Sequence, residues 1–129
     1  MAKTKQFTIS VDNQPGTVAH IAKVLGDSKV NILALLGTAH GTTGIVQLVA
    51  EDAKKAKKAL DEARIAYQET PAEQYELANK PGALAQCLAG LQKKGVNLSS
   101  IHATTAKGGK KAVVVYTVET AEKTATATA

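Results

Sequence analysis

The stretch Val11-Asp12-Asn13-Gln14-Pro15-Gly16 has a counterpart 66 residues later, Leu77-Ala78-Asn79-Lys80-Pro81-Gly82. Each stretch follows a strand-like run and precedes an apolar pattern of helical spacing. The pairs Val30-Asn31 and Val96-Asn97 keep the same offset of 66 residues. Similarity at a fixed period indicates an internal repeat, so we expect two structural units of one kind.

The residues around the first stretch predict the elements of the first repeat. Phe7, Ile9 and Val11 alternate with polar residues, which is typical of a strand with one buried face. Pro15 fixes its own φ and disfavours helix at Gln14, so a helix begins around Pro15. The elements expected after that helix are a buried strand over 30–39, a strand over 45–50, a helix over 53–63 and a short strand over 66–70.

The second repeat follows the same order but ends early. We expect a strand over 74–77, a helix whose apolar positions are Leu84, Cys87, Leu88 and Leu91, and strands over 96–105 and 112–118. Residues 120–129 start like a helix and continue as Thr-Ala repeats, so no fourth strand remains. Either the second repeat is truncated, or a strand of the first repeat or of another subunit fills the gap. The predicted domains are 1–70 and 71–129.

Composition places the chain among ordinary globular proteins. The 129 residues are 44% apolar and carry a net charge of +5. The single cysteine excludes an internal disulfide framework and fits a reducing compartment. The N-terminus lacks the apolar core of a signal peptide, and no apolar run is long enough to span a bilayer. We therefore expect a cytoplasmic protein without a membrane partner.

The doubled pattern resembles the ACT domain family. Each unit has Asn-x-Pro-Gly after its first strand and Val-Asn at the start of its second. The resemblance implies an α+β fold of two ferredoxin-like βαββαβ repeats, with antiparallel sheets and helices on one face, the second repeat being truncated at its C-terminus. It also implies a regulatory protein that binds an amino acid, forms a homodimer and modulates a partner such as an enzyme.

The family resemblance is greatest to the serine-binding regulatory domain of phosphoglycerate dehydrogenase. It implies that a loop asparagine and an asparagine opening the second strand hold the ligand across a domain interface. That domain has a histidine two residues before the loop asparagine, where this chain has Val11 and Leu77, so serine itself is not indicated. The ligand-binding residues expected are Asp12, Asn13, Gln14, Pro15, Gly16, Thr17, Asn31, Asn79, Lys80, Pro81, Gly82 and Asn97.

The chemistry of these residues suits an amino acid. An asparagine side chain can both donate and accept hydrogen bonds. Gly16 and Gly82 allow close approach to the backbone, and the start of the following helix suits a carboxylate. The alternative is that Asn13 and Asn79 only cap a helix or shape a turn. We expect the first repeat to be the binding copy, because it keeps Asp12 and is complete.

No other group of residues indicates catalysis, a metal or a cofactor. The three histidines, His20, His40 and His102, lack metal-ligand spacing, and Cys87 takes an apolar helix position. Gly108-Gly109-Lys110 lacks the spacing of a phosphate loop. We therefore expect the protein not to be an enzyme.

Two other functions stay open at this point. A free sheet edge would suit a ligand-independent assembly module. The lysine-rich segment over 54–58 and the basic balance would suit nucleic acid. However, sheets of this fold bind RNA through surface aromatic residues, and the chain has only four aromatic residues.

Overall fold

A computed structural model describes residues 2–118, which fall into two compact units. One unit is Thr4–Pro71, and the other contains residues 2–3 and 72–118 of the described part. The elements are β1 (Ala2–Asp12), α1 (Thr17–Asp27), β2 (Ile32–His40), β3 (Thr43–Ala50), α2 (Ala53–Glu62), β4 (Gln68–Ala78), α3 (Ala83–Lys93), β5 (Leu98–Thr105) and β6 (Lys111–Val118). No described helix is long and apolar enough to cross a membrane. The helix expected over 120–129 lies outside the described residues.

In the first unit, β3 lies between β1 and β2 and is antiparallel to both. Phe7 pairs with Leu48 and Ile9 with Val46, so the apolar side chains of β1 and β3 share one face. That face packs against α1 and α2 in a single core. The core residues contributed by the helices are Ile21, Leu25, Ala56, Ala59 and Leu60.

In the second unit, β6 lies between β4 and β5, again antiparallel to both. Leu91, Val114 and Tyr116 are buried. This core is more polar than the first, because Glu73 and Tyr75 occupy the places of Phe7 and Ile9. The rings of Tyr75 and Tyr116 stack with centroids 5.7 Å apart.

The internal repeat extends to backbone irregularities. The pairing of β2 with β3 is irregular between Ile32 and Ala34, and that of β5 with β6 is irregular between the equivalent Leu98 and Ser100. Bulges of this kind insert one extra residue into a strand. The two ferredoxin-like units expected from the sequence are confirmed, the second having the shorter set of elements.

The sequence prediction was wrong about the junction between the repeats. The separate strands expected over 66–70 and 74–77 are one continuous strand, β4, that passes through Pro71. Proline ends helices, but its fixed φ of about −65° is compatible with extended backbone, and only the N–H is lost. A strand can therefore continue through it.

The prediction that β2 is a buried strand was also wrong for its second half. Leu35 is 39% exposed and Leu36 is 46% exposed. Within its unit β2 pairs only with β3 among the described strands. An edge strand has a neighbour on one side only, so its apolar side chains are less covered than those of a central strand.

Candidate functional site

The loop between β1 and α1 leads into a helix that has no capping side chain. Gly16 is the N-cap residue of α1 and has a φ of 92°, which glycine adopts at little cost. Gln14 N–H donates to the Asp12 carbonyl at 2.9 Å, and the Thr17 hydroxyl donates to the Gln14 carbonyl at 3.2 Å. The Thr17 N–H donates to the Gln14 carbonyl at 3.4 Å. Because Gly16 offers no capping side chain, the N–H groups of Val18 and Ala19 are available to an anionic group.

Asn13 joins this loop to the turn between β2 and β3. Its side-chain Nδ2 donates to the Gly41 carbonyl at 2.9 Å, and its backbone N–H donates to the Thr42 carbonyl at 2.9 Å. The alternative in which Asn13 caps the helix therefore does not hold. Its carboxamide oxygen makes no hydrogen bond among the described residues, and the side chain is exposed.

A cleft of about 220 Å³ lies beside this loop in the first unit. The loop contributes Asp12, Asn13, Gln14 and Thr17 to its wall. The strand β2 contributes Gly37, Thr38 and Ala39 to the lining, and apolar side chains such as Val11, Val18 and Ile45 complete it. The structure thus brings together four of the six residues predicted for this loop, while Pro15 and Gly16 line a neighbouring groove of about 470 Å³.

Some residues of these two depressions were missed by the sequence analysis. They are Gly37 and Ala39 in the cleft, and His20, Ile65 and Ala66 in the groove. A glycine inside a strand pattern can mark a place where a ligand approaches, so Gly37 had a signal. Ile65 and Ala66 had none, since they approach the loop only after the chain has passed through α2.

The loop of the second repeat has the same backbone and different chemistry. Gly82 has a φ of 86°, and Asn79 Nδ2 donates to the Gly109 carbonyl at 2.8 Å. Ala78 and Lys80 stand where the first loop has Asp12 and Gln14. The loop asparagine and glycine are therefore common to both repeats, and the acidic residue belongs to the first alone.

A lysine–glutamate pair lies beside the second loop. The Lys111 ammonium is 2.7 Å from Glu76 Oε1. The hydrogen bond and charge of Lys111 lower the pKa of Glu76, and Glu76 raises the pKa of Lys111. Both side chains are exposed, so the pair contributes little to stability.

The strand asparagines do not meet the loop asparagines within a unit. Asn31 precedes β2, and its Nδ2 donates to Glu51 Oε2 at 3.1 Å. Asn13 lies beyond the other end of β2, a strand of nine residues that spans about 26 Å. Asn97 likewise precedes β5, at the end opposite to Asn79.

The histidines and the cysteine form no metal site. Within residues 2–118 no group of three or more metal-ligating side chains comes together. His20 and His40 are exposed. His102 is half-buried on β5, neither ring nitrogen has a described hydrogen-bond partner, and burial lowers its pKa. Cys87 is a half-buried free thiol.

Comparison with known families identifies the repeat. A family model described as an ACT domain pair matches residues 2–128. The chain belongs to the ACT domain pair family. ACT domain pairs are regulatory modules that sense ligands, and the resemblance drawn from the Asn-x-Pro-Gly repeats is confirmed. A search of curated proteins finds no match.

Solved structures share this ACT fold. Protein BT0572 from Bacteroides thetaiotaomicron is 28% identical with a TM-score of 0.79, the alignment covering 94% of this chain and 83% of that one. The regulatory subunit of aspartate kinase from Thermus thermophilus is 17% identical with a TM-score of 0.65, covering 93% and 85%. The corresponding subunit from Thermus flavus is 15% identical with a TM-score of 0.55, covering 89% and 82%.

Proposed function

We propose that this ACT domain pair binds a free amino acid at the β1–α1 loop of its first repeat. The observation that carries the proposal is the cleft of about 220 Å³, at which Asp12, Asn13 and the uncapped start of α1 meet. The binding event would be relayed to a partner, and the protein would act as a regulator without catalysing a reaction itself.

The three groups match the charges of an amino acid. The Asp12 carboxylate and the carboxamide oxygen of Asn13 can accept hydrogen bonds from an ammonium group. The first N–H groups of α1 can donate to a carboxylate. Because Asn13 is held by its Nδ2 bond to Gly41, its oxygen is oriented before a ligand arrives. Less conformational freedom is then lost on binding.

The first repeat is the proposed binding copy. The second loop has Ala78 in place of Asp12, so Asn79, Lys80, Pro81 and Gly82 lack a carboxylate for the ammonium. Asn31 and Asn97 stay in the proposal only as residues of a neighbouring copy's site, because each lies at the far end of its own sheet from the loop.

The proposed partners are a second copy of this chain and an enzyme. In the Thermus proteins the fold forms the regulatory subunit of aspartate kinase, and by analogy this chain would sense a metabolite and act on a separate enzyme. The single free cysteine is consistent with a cytoplasmic location.

A thermal-shift screen of the twenty amino acids against the full chain tests the proposal. A ligand at a hundredfold excess over its Kd stabilises the native state by about 2.7 kcal/mol. We expect one class of amino acid to raise the Tm. No shift with any amino acid at millimolar concentration would overturn the proposal.

A pair of matched variants assigns the shift to the first repeat. N13A and N79A each remove an equivalent bond to a hairpin carbonyl, so both should lower the Tm of the free protein by a similar amount. Only N13A and D12N should lose the response to the ligand. Loss of the response in N79A instead would assign binding to the second repeat.

The alternative of a ligand-independent assembly module is favoured by one observation, the exposed apolar side chains of β2. It predicts that D12N and N13A leave partner binding unchanged and that no amino acid alters it. Measuring co-purification of the partner with and without ligand separates the two functions.

A further inference from the structure

We propose that the ligand of the first loop has a bulky apolar side chain, which occupies the groove next to the cleft. This inference rests on the proposed function and specifies the class of amino acid. It follows from the position, the lining and the charge of the groove.

The groove and the cleft share part of their lining at the loop. The groove has a volume of about 470 Å³, and it shares Val11, Asp12 and Thr17 with the cleft. A ligand whose ammonium group is held at Asp12 therefore has its side chain within reach of the groove.

The floor of the groove is apolar. Ile9 and Ile21 are each 2% exposed and belong to the core. Ile65 is half-buried against the same core, and Ala66 is exposed at the side. The polar residues Ser10 and His20 are exposed and lie at the rim. A side chain that enters the groove thus meets aliphatic residues on its floor, while Asp12 and Thr17 belong to the part of the lining shared with the cleft.

The charges of the two depressions argue against a charged side chain. Asp12 and His20 are the titratable residues among the described lining, and no lysine or arginine lines either depression. An acidic side chain would have no fixed positive charge to pair with. A basic side chain would need a second carboxylate, because Asp12 already faces the ammonium group.

The volume of the groove favours a large apolar side chain over a small one. A pocket far larger than a methyl group leaves alanine in contact with little of the floor. Burial of a leucine, isoleucine or phenylalanine side chain should raise affinity at least about tenfold over alanine.

Calorimetric titration of the full chain with leucine, phenylalanine, alanine, serine and lysine tests this. We expect leucine or phenylalanine to bind at least about tenfold more tightly than the other three. If serine or lysine binds most tightly, the inference about the side chain fails and the proposed function stands. If none of the five binds and the twenty-amino-acid screen is negative, both fail.

Substitutions of Ala66 test whether the side chain of the ligand occupies the groove. A66F fills the groove from its exposed wall, so it should weaken binding of the large ligand at least about tenfold while leaving alanine binding unchanged. A66S keeps the size of Ala66 and should bind as the parent does. A85F, on the exposed face of α3, is the matched control. An equal loss in A66F and A85F, or none in A66F, would overturn the assignment of the groove.

Discussion

At the scale of single residues, Asn13 shows that a structural role and a binding role are compatible. Its Nδ2 fastens the loop to the Gly41 carbonyl, and its oxygen makes no bond among the described residues. The two interpretations drawn from the sequence, turn formation and ligand binding, thus concern opposite ends of one carboxamide. Asn79 repeats the first role in the second unit.

Tyr67 offers a test of the packing around the first core. Its ring meets Phe7 edge-on at 5.3 Å, and its hydroxyl donates to Asp61 Oδ1 at 2.8 Å. Burial, followed by the hydrogen bond and charge of Asp61, raises the pKa of Tyr67 to about 12. The folded chain therefore keeps this proton between pH 10 and 12, where the unfolded chain has lost it, so stability falls as the pH rises through that range.

Titration of phenolate absorbance checks this. We expect D61N to move the pKa of Tyr67 back towards 10, because the neutral amide no longer opposes the phenolate charge. Y67F identifies the transition that belongs to this residue. An unchanged transition in D61N would show that Asp61 has no part in the shift.

The partners of the loop residues were beyond prediction from the sequence for a definite reason. The Gly41 carbonyl that binds Asn13 lies 28 residues further along the chain. Local patterns report periodicity and turn chemistry over a few residues, which is why the elements were predicted in the right order apart from the strands around Pro71. The walls formed by Gly37, Ile65 and Ala66 depend on how β2 and the segment after α2 pack, and the sequence alone does not give that.

At the scale of elements, the residue at the N-cap differs among the three helices. The Asp52 carboxylate accepts a hydrogen bond from Lys55 N–H at 3.1 Å, which caps α2. α1 and α3 instead begin with glycines in the left-handed region. The failures concerned β2 and β4, because a burial pattern and a proline do not reveal how many neighbours a strand has.

Alanine substitutions at two glycines test whether the loop backbone requires a positive φ. Neither Gly16 nor Gly90 has any atom within 4 Å of an added Cβ, but only Gly16 has a positive φ. We expect G16A to lower the free energy of unfolding by about 1–2 kcal/mol. G90A, inside α3, should raise it by about 0.4–1 kcal/mol. Urea denaturation measures both, and G82A should reproduce G16A. A stabilised G16A would contradict the left-handed geometry of the loop.

At the scale of the whole molecule, exposed apolar residues recur at equivalent places in both repeats. Val18 and Leu35 are 38% and 39% exposed, and their counterparts Leu84 and Ile101 are 39% and 38% exposed. Leu35 and Ile101 lie on β2 and β5, each of which pairs with one described strand only, and exposed apolar residues on such edge strands suit association with another chain. Because the same pair occurs twice, a second copy of this chain is the partner that fits.

We therefore predict a homodimer at micromolar concentration, to be checked by light scattering. L35K places a charge on the exposed edge and should shift the protein towards monomer, while I101K tests the equivalent place in the second repeat. K54E, on the solvent side of α2, is the control for a change of charge alone. A monomeric parent protein would contradict the prediction.

The hydrogen bond from each loop asparagine to its hairpin has a practical consequence, because it should allow one loop to be exchanged for the other. Each loop is attached at the same points, by an amide to a hairpin carbonyl and by a left-handed glycine to a helix. Of the residues that differ, Gln14 and Lys80 lie between those attachments, and Asp12 and Ala78 directly precede the first one. A chimera carrying the first loop in both places, or the second in both, should keep the scaffold while altering its chemistry. The second loop can thus serve as an internal control for ligand binding measured at the first.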